Sequence, residues 1–131
     1  MATEQELLQK GMAVAGQLWG ARAGGNELPA QKLAPEFFKN VIEFCFGGFW
    51  ARPGLAIRDR SLCTVAQLAA LGKTDELKGH LMGALNLGIT REELIEVLMQ
   101  TSQYAGIPTA VQALNAAAEV LLVDKQGTEK K

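Results

Sequence analysis

An all-α fold is what this 131-residue sequence predicts, and three observations carry the prediction. Apolar residues make up 48% of the chain and aromatic ones only 6%, so much of the hydrophobic content is alanine and leucine, which favour closely packed helices over a sheet of β-branched residues. Apolar positions recur at helical spacing, and no stretch alternates convincingly with period two. Glycine and proline punctuate the periodic runs where helices would stop and start. The length is that of one domain, 1–131, with its core expected over about 38–121 and a polar, frayed tail over 124–131. No repeat or linker suggests a second domain.

Taken in order, the first helix is expected over about 4–19, where Leu7, Leu8, Met12, Ala15, Leu18 and Trp19 form one apolar stripe. Gly20, Gly24, Gly25, Asn26 and Pro29 read as a loop, and Pro35 as the first-turn proline of a second helix. That helix is apolar nearly all round, with Phe37, Phe38, Val41, Ile42, Phe44, Cys45, Phe46, Phe49 and Trp50, which implies burial on several sides or a subunit contact. Gly47 and Gly48 should weaken its last turns. After the Arg52-Pro53-Gly54 turn a third helix starts near 57–59, faces Leu62, Val65, Ala66 and Ala69 inward, and stops at Gly72.

Thr74 is placed to cap a fourth helix that Gly88 closes, with Asp75 and Glu76 in its first turn where the dipole favours them. Thr90-Arg91-Glu92-Glu93 has the layout of a capping box for a fifth, carrying Leu94, Val97, Leu98, Thr101 and Ala105 on one side. Gly106 and Pro108 end that run and begin the sixth, whose Ala110, Ala113, Leu114, Ala117, Val120 and Leu121 let a neighbouring backbone come close. About six helices result.

The formal net charge of −1 gives no electrostatic case for nucleic acid or for an acidic membrane surface, and neither is expected as a partner. Residues 1–10 lack the positive-then-apolar layout of a secretory signal, and no apolar run reaches membrane-spanning length, so a cytoplasmic protein is expected. Cys45 and Cys63 form no C-x-x-C pair and sit among apolar residues, where they read as reduced core thiols.

The chemistry-bearing residue is His80, the single histidine of the chain. Leu77, Leu81 and Ala84 surround it at helical spacing, so its ring should look into an apolar interior, with Glu76 one turn earlier able to bias its charge and orientation. Imidazole is the side chain whose ordinary pKa lets it exchange a proton near neutrality. The competing reading is a satisfied core histidine.

Phe49-Trp50-Ala51-Arg52-Pro53-Gly54-Leu55, Arg58-Asp59-Arg60-Ser61-Leu62, the turn from Glu76 to His80, Ala84-Leu85-Asn86-Leu87-Gly88-Ile89-Thr90-Arg91-Glu92-Glu93 and Tyr104-Ala105-Gly106-Ile107-Pro108 make an ordered series. The series resembles the carboxymuconolactone decarboxylase family, over roughly 38–121. Each motif alone is weak, and their order gives the specificity. The resemblance implies an alkylhydroperoxidase-D-like bundle of short helices whose protomers assemble as trimers or hexamers. One branch of that superfamily reduces peroxides with a C-x-x-C pair shortly before a histidine. Here Lys73 and Glu76 stand at the positions of those cysteines, so dithiol chemistry is not expected.

What the resemblance then implies is decarboxylation of 4-carboxymuconolactone, or a related small lactone acid, to β-ketoadipate enol-lactone and carbon dioxide. The electrons of the lost carboxylate flow through the ring double bond into the lactone carbonyl, so neither cofactor nor metal is expected. The protein must hold a dianion, stabilise the charge growing on the lactone oxygen and deliver a proton to carbon. His80 is the catalytic candidate, as proton donor or as hydrogen-bond donor to the enolate, with Glu76 orienting it. Arg52, Arg58 and Arg60 are candidates to grip carboxylates, because guanidinium binds them through paired hydrogen bonds. The alternatives are a helix-ending carbonyl contact for Arg52 and a solvated surface position for Arg58 and Arg60. Trp50 would line an apolar wall with Phe46 and Phe49, for which a core role is the stronger reading. Tyr104 would either bond substrate or close a helix end, half-buried beside Gly106. Two other functions stand beside this one: a thiol-dependent peroxidase using Cys63, and a non-catalytic helical oligomer that binds small carboxylated ligands.

Overall fold

The computed structural model describes residues 1–20 and 28–123. Among them are seven α-helices and one π-helical segment: α1 (Glu4–Trp19), α2 (Pro29–Leu33), α3 (Pro35–Val41), the π segment (Ile42–Trp50), α4 (Ile57–Leu71), α5 (Thr74–Asn86), α6 (Arg91–Ala105) and α7 (Ile107–Leu121). The all-α expectation holds. The predicted loop at Gly24, Gly25 and Asn26, and the predicted frayed tail, lie outside the described residues. Contacts divide the chain into two compact units, Met1–Ile57 and Arg58–Lys131.

In the first unit α1 opens with a capping box the sequence reading passed over, in which Thr3 Oγ1 accepts from the Glu6 amide at 3.1 Å and Glu6 accepts from the Thr3 amide at 3.2 Å. Its buried stripe is Gly11, Val14, Ala15 and Leu18. Met12, expected inside, faces out. The stripe turns this way because α1 meets the π segment backbone to backbone, which requires glycine at the crossing. A Cβ on Gly11 would stand 2.1 Å from the Ile42 carbonyl oxygen, and one on Gly47 would stand 2.0 Å from that of Leu7. Gly47 is therefore the residue that lets this pair close up, and not merely a weak point at a helix end.

Pro29 starts a five-residue helix where a loop was expected, and the Gln31 side chain accepts from the Leu28 amide at 3.1 Å. Pro35 occupies the first turn of α3 as predicted. The second expected helix changes pitch at Ile42, and its wider ladder ends with the Ala51 amide donating to the Phe46 carbonyl at 3.0 Å. Phe46 is buried, edge-on to Trp19 with ring centroids 5.5 Å apart and tilted on Trp50 at 5.7 Å. Phe37, Phe44 and Phe49 are 61%, 68% and 51% exposed, so the core role expected for Phe49 fails.

The second unit packs α4 to α7 around Val65, Ala69, Leu77, Leu81, Ala84, Ile89, Leu94, Leu98, Ala113, Ala117 and Leu121. Two glycines shape its turns. Gly72 at φ +72° and Gly88 at φ +90° adopt the left-handed conformation that ends a helix, and each is followed by an amide that reaches back five residues, Lys73 to Leu68 at 3.0 Å and Ile89 to Ala84 at 3.1 Å. Thr74 is not the cap of α5. Lys73 holds that position without a side-chain bond, so Thr74 begins the helix itself. The Thr90–Glu93 capping box of α6 is present in both directions, at 3.0 and 3.1 Å. Gly106 at φ +100° separates α6 from α7, and the Lys78–Glu119 ion pair ties α5 to α7. No described helix is long and apolar enough to cross a membrane.

Candidate active site

His80 lies at the edge of the buried face of α5. Leu77, Leu81 and Ala84, its neighbours by helical spacing, are fully buried, while Glu76 one turn earlier is exposed. The ring itself is mostly covered, and Nδ1 is shut off from solvent. Burial pushes the imidazole down from 6.5 to about 4, because apolar surroundings penalise its charged form; the Glu76 carboxylate opposes that shift. At neutral pH His80 is therefore uncharged. One ring nitrogen carries a hydrogen to donate and the other can accept.

Arg58 and Arg60 stand in the first turn of α4. Arg58 Nη2 donates to Glu93 Oε2, joining the start of α4 to the start of α6. Glu93 thus serves two ends, since it also closes the Thr90 capping box. Hydrogen bonding to the Thr90 backbone, then to the Arg58 guanidinium, holds its carboxyl below the usual carboxylate range. Arg60 is half-buried, and its carbonyl accepts from Thr64 Oγ1 at 2.8 Å. In the other unit Arg52 is exposed just past the π segment, its amide donating to the Phe49 carbonyl at 3.1 Å, and Trp50 is half-buried.

Tyr104 is 90% exposed, so the helix-closing, half-buried alternative does not describe it. It stands on the rim of a groove of about 590 Å³ between α4 and α6, lined by Leu62, Cys63, Ala66, Val97, Gln100 and Thr101 among others. Neither His80 nor an arginine is in its walls. The groove was missed from the sequence, although its signal was there: Ala66, Ala70 and Ala105 are too small to fill the space between two helices. Cys63 opens onto it and is exposed, against the expectation of a core thiol. Cys45 is partly covered, and burial raises its thiol.

Two further polar groups went unnoticed. Ser61, fully buried on α4, has no hydrogen-bond partner for Oγ among the described residues, and the same holds for Nε of Arg91. Nothing in a local pattern reveals either, since both depend on what packs over them. Among the described residues no three His, Cys, Asp or Glu side chains come together.

The second unit thus holds one uncharged imidazole in an apolar setting on a compact helical scaffold, which is the equipment of a small acid–base site. Residues 35–119 match the carboxymuconolactone decarboxylase family, and the chain belongs to it. It is similar to 4-carboxymuconolactone decarboxylase of Acinetobacter baylyi, 36% identical over 118 residues that span 89% of this chain and 88% of the relative. A nitrosuccinic acid decarboxylase of Metarhizium robertsii is 32% identical over 87 residues, 65% of this chain and 61% of the relative. An uncharacterised 15.0 kDa protein of Paracoccus denitrificans is 30% identical over 118 residues, 88% of each chain.

Proposed function

We propose that this protein is a cofactor-independent carboxy-lyase that converts 4-carboxymuconolactone, or a lactone acid of the same kind, to β-ketoadipate enol-lactone and carbon dioxide. The observation that carries the reading is the sole imidazole, held uncharged in apolar surroundings, in a chain whose likeness to a decarboxylase runs nearly end to end. The names of the two decarboxylase relatives share a chemical logic. Each denotes a small acid whose lactone or nitro group can take up the electron pair that carbon dioxide leaves behind, so the protein needs only to bind charge and handle a proton.

Uncharged His80 suits both remaining tasks. Its N–H donates to an oxyanion, and with water excluded that bond is stronger than in solution. A bound dianion adds negative charge near the ring, which raises its affinity for the proton that the ring carbon must receive. Arg58 and Arg60, in the same unit as His80, stay in this reading as substrate-binding residues, each to be tested by its effect on KM. Arg58 would have to exchange Glu93 for a substrate carboxylate. The same reading makes the protein a homo-oligomer, because the exposed rings of Phe37, Phe44 and Phe49 form apolar surface that assembly would cover.

The test is direct. Purified protein should release carbon dioxide from the lactone without added metal or nucleotide, and His80→Ala should lower kcat by at least about 100-fold, the usual size of a lost proton-transfer group. Turnover of nitrosuccinate in place of the lactone would move the assignment to that substrate. No release from either acid would overturn it.

A further inference from the structure

A guanidinium that already grips a carboxylate joins the start of α4 to the start of α6. Arg58 Nη2 donates to Glu93 Oε2, with both side chains nearly half exposed. The two oxygens of Glu93 divide their work. Oε1 accepts from the Thr90 amide at 3.0 Å, and the Glu93 amide donates to Thr90 Oγ1 at 3.1 Å. Without Arg58 the carboxylate would still close its capping box and still face the positive end of α6. Arg58 is placed otherwise. It stands in the first turn of α4, where the helix dipole disfavours a cation, so the guanidinium depends on a carboxylate for its charge balance. A guanidinium presents its N–H groups as a fork that matches both oxygens of one carboxylate, and Glu93, with Oε1 committed to Thr90, meets that fork through Oε2.

We propose that Glu93 is a resident competitor for Arg58: it occupies the guanidinium in the free protein, yields it to an acid that presents two oxygens at once, and thereby sets how tightly the protein holds that acid. Glu93 acts here through Arg58 and touches no reacting atom. The proposal rests on the decarboxylase reading for the identity of the acid, and on the ion pair for the exchange. On exchange Glu93 keeps its cap and loses one exposed, salt-screened bond, so its release is cheap. Its charge stays beside the newcomer, however, and two carboxylates then face one guanidinium. An acid is therefore held less tightly than Arg58 alone would hold it, and removing the Glu93 charge tightens the hold.

The neighbouring carboxylates supply a control. Asp59 and Glu92 stand exposed in the same two first turns, and neither is paired with Arg58.

Succinate, a dicarboxylate without an electron sink to support loss of carbon dioxide, reports binding in the absence of turnover and can be titrated by NMR into wild type and variants. Glu93→Gln retains a side chain suited to the capping box and frees Arg58; it should tighten succinate binding about 3- to 10-fold, the effect of one charge roughly 5 to 6 Å away near the surface. Glu92→Gln, an equal loss of charge without the contact, should change binding by less than about twofold. Arg58→Gln should weaken it by at least about 10-fold, the size of a lost bond to a charged group, and adding Glu93→Gln to that variant should bring no further gain. In turnover the Glu93→Gln factor should appear as a lower KM for the lactone and not in kcat. Unchanged or weaker succinate binding by Glu93→Gln, in a protein folded by circular dichroism, would overturn the proposal and leave the pair as a strut between two helices. Tighter binding in a protein that turns over neither acid would leave the competition standing and remove the decarboxylase reading instead.

Discussion

Lowering the pH from 7 to 4 should destabilise this protein through His80 before its carboxylates take part. In the unfolded chain the imidazole takes up its proton near 6.5; in the folded protein burial delays that uptake to about 4. Between these values the unfolded state binds the extra proton, so stability is complete above 6.5 and is lost as the pH falls toward 4. A gap of that width corresponds to about 3 kcal/mol, at about 1.4 kcal/mol per pH unit. Against the total stability of about 5 to 15 kcal/mol usual for a domain, the loss is easily measured. Urea denaturation at half-unit pH steps, for wild type and for His80→Gln, isolates it: the variant keeps every carboxylate and lacks the titrating ring. The stability of wild type relative to the variant should fall by about 3 kcal/mol between pH 7 and pH 4. Glu93, whose carboxyl is held low, acts in the same direction at lower pH, its stabilisation present above the ordinary carboxylate range and lost as the pH falls through that range and below it, and it cancels in the comparison. A difference that stays flat across the interval would show that the ring is hydrated in the folded protein and that the apolar setting assigned to it is wrong.

Replacing Gly47 by alanine should cost about 3 kcal/mol, in the upper range for overpacking, because the new methyl would overlap the Leu7 carbonyl and force α1 off the π segment; thermal denaturation measures it, and an unchanged Tm would refute the close approach. Ser61→Ala should be neutral or stabilising by up to about 1 kcal/mol, since it removes a buried hydroxyl that lacks a partner; a loss of more than that in urea denaturation would mean that the hydroxyl is bonded. Cys63 should react with a thiol reagent well before Cys45, given its exposure, while Cys63→Ser should leave decarboxylation intact. Loss of turnover in that variant would favour thiol chemistry.

Much of the second unit is legible in the sequence because its signals are local. Thr90 and Glu93 sit three residues apart, Gly72, Gly88 and Gly106 mark helix ends by their freedom at positive φ, and the apolar stripes of α5 to α7 repeat at helical spacing. The reading fails where an outcome depends on a distant segment. The Arg58–Glu93 pair joins residues 35 positions apart, and a capping box that already explains Glu93 hides its second partner. The pitch change at Ile42 and the outward turn of Met12 follow from α1 and the π segment meeting at two glycines, a fact about a contact and not about either stretch alone. Cys63 and Tyr104 were misjudged for the same reason. Apolar neighbours in sequence do not cover a side chain that points into a trough left by alanines.

His80 shows the limit from the other direction. Spacing alone put it on a covered face beside a carboxylate, but spacing cannot say whether a covered imidazole is charged. A histidine with a close acidic partner would be raised and would enter the reaction as an imidazolium; one whose apolar cover outweighs that partner enters uncharged. In this chain burial is the larger influence and Glu76 the smaller, so the free protein holds a neutral ring, and charge must arrive with the substrate. Binding of an acid should then draw in a fraction of a proton from solution at pH 7, in contrast to a preformed imidazolium, which would bind the same acid with none. In the decarboxylase reading, the covered position of one ring thus places its proton uptake after the acid has bound, and delivery of a proton to carbon after carbon dioxide has left.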